Sequence, residues 1–215
     1  MLTTVTHVSA EGGGPGVAEP RSIDRIRGAA LASFAAQGAA ATTLRGVAAA
    51  AGVSLGLVQH HFATKAGLIK AVDEYVLDVV ITPMAQPIDE RTSDSISEVG
   101  RRVNRIIAEH PDVAAYLGRA LVDGSALGHV VFDRLFEVGV ARWQARADSG
   151  EARPDIDVVW AATNALVLAL GAVSLRPHIE RHLPEPFTAP SQLDRWQTSV
   201  DTLLRDGLFP HTERS

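Results

Sequence analysis

The chain of 215 residues has no cysteine. That excludes disulfides, thiolate metal sites and a cysteine nucleophile. Aromatic residues make up only 5% of it, and there are two lysines, Lys65 and Lys70. The first 20 residues hold no Lys or Arg and no long apolar run, so they read as neither a signal nor a transit peptide. The longest apolar stretch, residues 158–175, is broken by Thr163, Asn164 and Ser174 and has no flanking basic cluster. A membrane span needs about 20 such residues. A soluble, cytoplasmic protein without membrane contact is expected. Period-two alternation with turn chemistry is missing, which leaves an all-α chain. No Ser-His-Asp spacing, glycine-rich nucleotide loop or carboxylate–histidine repeat appears, so no catalytic residue, cofactor or metal ligand is assigned. His178 and His182 are four apart but lack the HExxH order.

What is present is alanine, which favours helix, and an uneven charge. The chain carries −5 overall. Residues 21–70 nevertheless hold six basic side chains (Arg21, Arg25, Arg27, Arg45, Lys65 and Lys70) against Asp24 alone. Residues 71–215 hold 14 basic against 22 acidic ones. A basic head on an acidic body suggests a local polyanion-binding surface. The GGGPG run at 12–16 marks residues 1–20 as a flexible arm.

Helical periodicity predicts a first helix over 22–37, with Ile23, Ile26, Ala30 and Phe34 on one face, Ser22 as N-cap and Gly38 as the stop. Thr43 caps a second helix whose inward stripe is Leu44, Val47, Ala48 and Ala51. Gly52 supplies the left-handed turn, Val53 plugs the corner, and Ser54 caps a third helix that buries Val58 and Phe62. Leu55, Gly56, Leu57, Gln59 and His60 are then left to point elsewhere. Thr64 caps a fourth helix through Ala66, Ile69, Val72 and Val76, expected to stop before Pro83. Two short helices joined by a glycine corner form a helix-turn-helix, whose second helix fits the DNA major groove.

The run Thr43-Leu-Arg-Gly-Val47-Ala48, Ala51-Gly52-Val53-Ser54-x-Gly56, His61-Phe62 and Lys65 through Leu68 resembles the DNA-binding domain of TetR-family transcriptional regulators. The motif covers about 26 residues, and about 50 with the preceding helix. The resemblance implies a helix-turn-helix DNA-binding domain over 21–68 and a larger helical effector-binding and dimerisation domain over 69–215. It also implies a palindromic double-stranded operator, a homodimer and a small-molecule effector, most often releasing a repressor. Residues at the positions of Thr43 and Lys65 clamp phosphates in that family. One position departs from the pattern: Gln59 stands where the family usually has an aromatic. Glutamine can touch backbone or pair with adenine. Arg45 and the helix start at Ser54 add phosphate contacts. Gly56 lets the backbone approach the duplex. Leu55 and Leu57 could meet thymine methyls, and His60 could reach base or phosphate.

Beyond the motif, a capping box at Ser95–Glu98 opens a helix to about 110. Pro111 starts another to about 122, and Ser125 begins a long one to 148. Further helices are expected over about 155–183 and 191–206. The first of these is apolar nearly all round, so it must be covered on every side, in part by a partner subunit. Asn104, Tyr116, Trp143, Trp160 and Asn164 are the candidate effector-pocket residues. The rival reading is a helical enzyme or metal-binding bundle without DNA function.

Overall fold

The computed structural model describes residues 21–88 and 95–208, and no strand occurs among them. The first three helices are α1 (Ser22–Gln37), α2 (Leu44–Ala51) and α3 (Leu55–Phe62). Then follow α4 (Lys65–Ala85), α5 (Ser95–Glu109), α6 (Pro111–Val122), α7 (Ala126–Asp148) and α8 (Val158–Ser174). A short α9 (Arg176–Ile179) leads through a 3₁₀ turn to α10 (Pro190–Leu208).

Short-range chemistry sets most of the boundaries. Thr43, Ser54, Thr64 and Ser125 each accept a hydrogen bond from the backbone N–H three residues on, at 3.0, 3.2, 3.1 and 3.3 Å. Each bond satisfies one of the donors left open at a helix start. Gly52 ends α2 in the left-handed conformation, at φ 66°. α1 starts differently from expectation. Its cap position is Arg21, without a side-chain cap bond. The Ser22 hydroxyl instead pairs with Nε2 of His61 at 3.1 Å, tying α1 to the end of α3.

α1, α2, α3 and the first half of α4 close around Ile26, Ala30, Phe34, Val47, Ala48, Val58, Leu68 and Val72, all buried. The buried stripe of α4 is Leu68, Val72, Val76 and Val80. Val72 and Val76 are buried as predicted, whereas Ala66 is exposed, Ile69 is half-buried and Leu68 takes the inward place before Val72. α4 also runs through Pro83 to Ala85 instead of stopping before it. Proline there removes only one late backbone bond. The carbonyls left open at the helix end are taken by two arginines. Arg102 donates to the carbonyls of Pro83, Gln86 and Pro87 at 2.9, 2.7 and 3.0 Å. Arg142 donates to those of Met84 and Gln86. Cations at a helix C-terminus are favoured by the dipole as well as by the hydrogen bonds.

In the body, α6 lies between the head and α8. Phe34 of α1 meets Tyr116 of α6 with ring centroids 5.9 Å apart. The Tyr116 hydroxyl donates to Asp73 of α4 at 2.9 Å. Arg119 of α6 donates to the carbonyls of Ala35 and Ala36 near the end of α1. At Gly118 an added Cβ would lie 3.1 Å from the carbonyl oxygen of Val173, so the missing side chain permits the α6–α8 crossing. The expected capping box at Ser95 is not seen. Its hydroxyl accepts from Arg146 at 2.6 Å, and Glu98 holds Arg101 and Arg102, each at 2.9 Å.

The predicted helix over 155–183 begins at Val158, capped by Asp157, and breaks after Ser174. The pieces meet at 68°. Pro177 explains the break, because it has no N–H for the next helical bond and its ring crowds the preceding turn. Among the described residues no single helix is long and apolar enough to cross a membrane. α8 is covered on one side only. Ala161, Ala162 and Ala172 face inward, while Trp160, Val167 and Leu175 stay 61%, 57% and 54% exposed.

Burial raises the pKa of Asp73, and the Tyr116 hydrogen bond only partly opposes this. The folded state therefore binds the proton more tightly than the unfolded chain, and stability falls as pH rises above the ordinary carboxylate range. Asp73→Asn keeps an acceptor for Tyr116 and removes the charge. Thermal melts from pH 4 to 7 should show the variant losing less stability across that window than the parent.

Candidate nucleic-acid interface and body cavity

The corner between α2 and α3 presents a coherent outer surface. Thr43, Arg45, Ser54, Gly56, Gln59 and His60 are all exposed. The head carries three helix starts within about 20 residues, at Thr43, Ser54 and Thr64, and the backbone N–H groups of a helix start favour anions. Arg45 enters none of the described ion pairs, whereas Arg21 and Arg27 both hold Asp24. Lys65 is half-buried and donates to the carbonyl of Ala40 at 2.9 Å, fastening the α1–α2 connection. An ammonium has three donors, so further contacts remain open to it.

Leu55 and Leu57 depart from expectation. Both are half-buried and pack against the head core. Leu55 lies three residues before Val58, hence on the same face of the helix. Leu57 flanks that face. The outward surface of α3 is therefore narrower than predicted: Gly56, Gln59 and His60 form it. His61 is half-buried beside Phe62, with ring centroids 6.1 Å apart.

Two glycines near this surface have different reasons. A Cβ at Gly67 would lie 2.4 Å from the Phe62 carbonyl oxygen, so internal packing requires the glycine. The chain turns there through Ala63 at φ 53°, ψ −52°, with the Thr64 N–H bonded to the Phe62 carbonyl. This is the strained γ-turn, and it brings α4 back against α3. A Cβ at Gly56, by contrast, would meet nothing closer than the Ser54 hydroxyl at 3.9 Å. Nothing inside the protein requires a glycine at 56.

The body encloses a cavity of about 120 Å³ between α4, α5, α7, α8 and α10. Its wall is almost wholly apolar, with Trp143 and Trp196 as the aromatics and Arg142, Arg146, Gln197 and Asp201 as the polar residues. A second cavity, of about 70 Å³, adjoins it through Met84, Val103, Leu135, Leu166 and Ala169, which line both. Of the five predicted pocket residues only Trp143 lines this space. Asn104 donates to Gln197 and to the Leu193 carbonyl behind the wall. Tyr116 belongs to the α1–α4–α6 junction. Trp160 and Asn164 lie on the exposed side of α8. Trp196 and Arg142 were missed, because their convergence depends on how α7 and α10 pack and no local motif announces it. Among the described residues no group of three or more His, Asp or Glu is placed to hold a metal.

A helix-turn-helix head thus sits on a helical body that holds a cavity. Residues 26–72 match the family described as bacterial regulatory proteins, tetR family. The chain is 29% identical over 133 residues to the HTH-type transcriptional regulatory protein RaaS of Mycobacterium tuberculosis. That match spans 62% of this chain and 60% of the relative. The fold also resembles the ketosteroid transcriptional regulator KstR2 of Mycobacterium tuberculosis, at a TM-score of 0.66 and 20% identity over 88% of this chain and 95% of that one. SmeT, the repressor of the Stenotrophomonas maltophilia multidrug efflux pump SmeDEF, gives a TM-score of 0.64 at 19% identity over 90% and 93%. Residues 26–72 are thus similar to the DNA-binding segment of tetR-family proteins, and the chain as a whole shares the fold of the solved structures.

Gly56→Ala separates folding from recognition. The exposed helix should gain up to about 1 kcal/mol on replacing glycine by alanine. If this face of α3 docks on DNA, affinity should fall by about tenfold, or about 1.4 kcal/mol, because the added methyl would hold the backbone off the duplex. Thermal melts and DNA titration of the same preparation read the two effects.

Proposed function

We propose that this protein is a homodimeric, ligand-responsive transcriptional regulator that represses by occupying a palindromic operator. The observation that carries the reading is the exposed face of α3, Gly56 with Gln59 and His60, in a head that also carries the exposed Thr43 and Arg45 and the half-buried Lys65. α3 enters the major groove. Gln59 and His60 reach base edges or backbone, and Thr43, Arg45, Ser54 and Lys65 hold phosphates. Leu55 and Leu57, half-buried at the rim, offer apolar edges to thymine methyls. The DNA-binding domain spans residues 21–68 and the effector-binding and dimerisation domain 69–215, joined by the continuous α4. The protein works in the cytoplasm, where its operator is.

A two-helix reader covers few base pairs, so two copies are needed to read half-sites about 34–36 Å apart. The exposed apolar side of α8, with Leu203 of α10 at 59% exposure, supplies a surface for the second copy. An isologous contact would bury the same patch on both subunits. The apolar cavity beside α4 takes a small-molecule effector, since helix-lined apolar cavities with a few polar groups are ordinary ligand sites. A coupling of about 1–3 kcal/mol to the head changes operator occupancy about 5- to 150-fold. The resemblance to a named efflux-pump repressor supports repression over activation.

Gel-shift titration against fragments of the host genome tests the DNA reading. At least one fragment should bind in strong preference to bulk DNA, with affinity falling steeply as salt rises. Uniform binding to all fragments, or none, overturns it. Val167→Asp tests the dimer. Light scattering should show the parent at twice its 22.8 kDa chain mass and the variant at the chain mass, still folded by circular dichroism. A variant that remains dimeric would move the interface away from α8.

A further inference from the structure

We infer that the effector is an amphipathic anion, an apolar chain ending in a carboxylate, with Arg142 as the group that receives its charge. This rests on the reading of the body cavity as an effector site. The cavity wall is apolar apart from Arg142, Arg146, Gln197 and Asp201, so its cations are the two arginines. Three guanidinium groups meet here, because Arg102 also lies beside Arg142. Their balance is unequal. Arg102 is held by Glu98 at 2.9 Å. Arg146 stacks on the Trp143 ring, 4.8 Å from its centroid, and donates to Ser95. Arg142 has only the neutral carbonyls of Met84 and Gln86, and none of the ion pairs among the described residues includes it. Burial, with repulsion from Arg102 and Arg146, disfavours its charged form. A half-buried cation in this setting gains most from an anionic partner, and a planar guanidinium matches a carboxylate in two-point geometry.

Asp201 is the one carboxylate lining the cavity among the described residues, and it does not supply that partner. It accepts the Ser97 hydroxyl at 2.6 Å, and the same hydroxyl oxygen accepts from Arg205 at 3.0 Å. The shape of the site fits the rest of the ligand. The main cavity continues into the smaller one beyond Met84 and Leu166, whose lining is wholly apolar. A neutral apolar ligand would fill this space and leave Arg142 as it is. A cationic one would meet the arginines directly.

The position of Arg142 also gives the ligand a route to the head. Arg142 clasps the last carbonyls of α4, whose first turn carries Lys65 beside the candidate DNA face. A carboxylate that draws the guanidinium into the cavity removes one of the two clasps on that helix end, leaving Arg102. The ligand thereby interacts differently with the two states of α4, which is what any shift of equilibrium requires.

Trp143 and Trp196 line the cavity, so tryptophan fluorescence of the full chain reports binding without DNA. Decanoate, 1-decanol and decyltrimethylammonium, titrated below their micelle concentrations, share one chain and differ in head charge. Decanoate should bind at least about tenfold more tightly than the alcohol, the worth of one charge-assisted pair, and the cation most weakly. In Arg142→Met the preference for acid over alcohol should collapse to near unity, and Arg142→Lys should restore part of it. Equal binding of acid and alcohol by the parent chain, tighter binding of the cation, or an acid preference that survives in Arg142→Met overturns the inference. The parent comparison needs no variant, so a misfolded Arg142→Met leaves it decisive. Fluorescence and gel shift fail separately: acid preference without loss of DNA binding keeps the ligand class and removes only the route through α4.

Discussion

Helix α4 offers one buried stripe to two sets of partners. Leu68 and Val72 complete the small core of the head, while Val76 and Val80 continue it toward α6 and α7. One helix is thus common to both cores, and its two ends are fixed by unlike means. The N-terminal end is held by the Thr64 cap, the turn at Ala63 and the close approach that Gly67 permits. The C-terminal end is held by two arginine side chains reaching over from α5 and α7. Backbone geometry is stiff, whereas guanidinium contacts can be exchanged for others. Any adjustment along the rod is therefore absorbed at the cavity end first.

The junction beside α4 strengthens this asymmetry. Phe34, Tyr116 and Asp73 bring α1, α6 and α4 together at one buried point. Arg119 then secures α6 to the end of α1. Burial and the Asp73 contact both raise the Tyr116 pKa, which keeps the hydroxyl protonated and donating. Separating Tyr116 from Asp73 would leave a buried hydroxyl without its partner.

The head was legible because local chemistry writes its boundaries. The hydroxyls of Thr43, Ser54 and Thr64 cap their own helix starts, and Gly52 turns its own corner, so a window of about ten residues contains the cause. Leu55 was misplaced for a reason of scale. On a two-turn helix nearly every side chain lies close to a core face, so periodicity sorts inside from outside poorly. The body hid more. Gly100 takes its place because α10 brings Gln197 against it, and Arg142 is a cavity residue because α4 ends where it does. Those causes lie tens of residues away from their effects. The α8–α9 break could have been read from Pro177. The apolar run before it outweighed that signal in the prediction of a single helix.

Charge completes the design in a way that neither half explains alone. The basic side chains of residues 21–70 outnumber Asp24 six to one, while residues 71–215 are net acidic. Three of the arginines in the acidic part, Arg102, Arg142 and Arg146, are buried or half-buried at the end of the cavity. The outer surface of the body is consequently more negative than its composition indicates. A polyanion approaching that surface is repelled and one approaching the head is attracted, so orientation is imposed before contact. At physiological ionic strength this discrimination reaches about 8 Å beyond the surface. A chain with net negative charge can in this way still present one basic face.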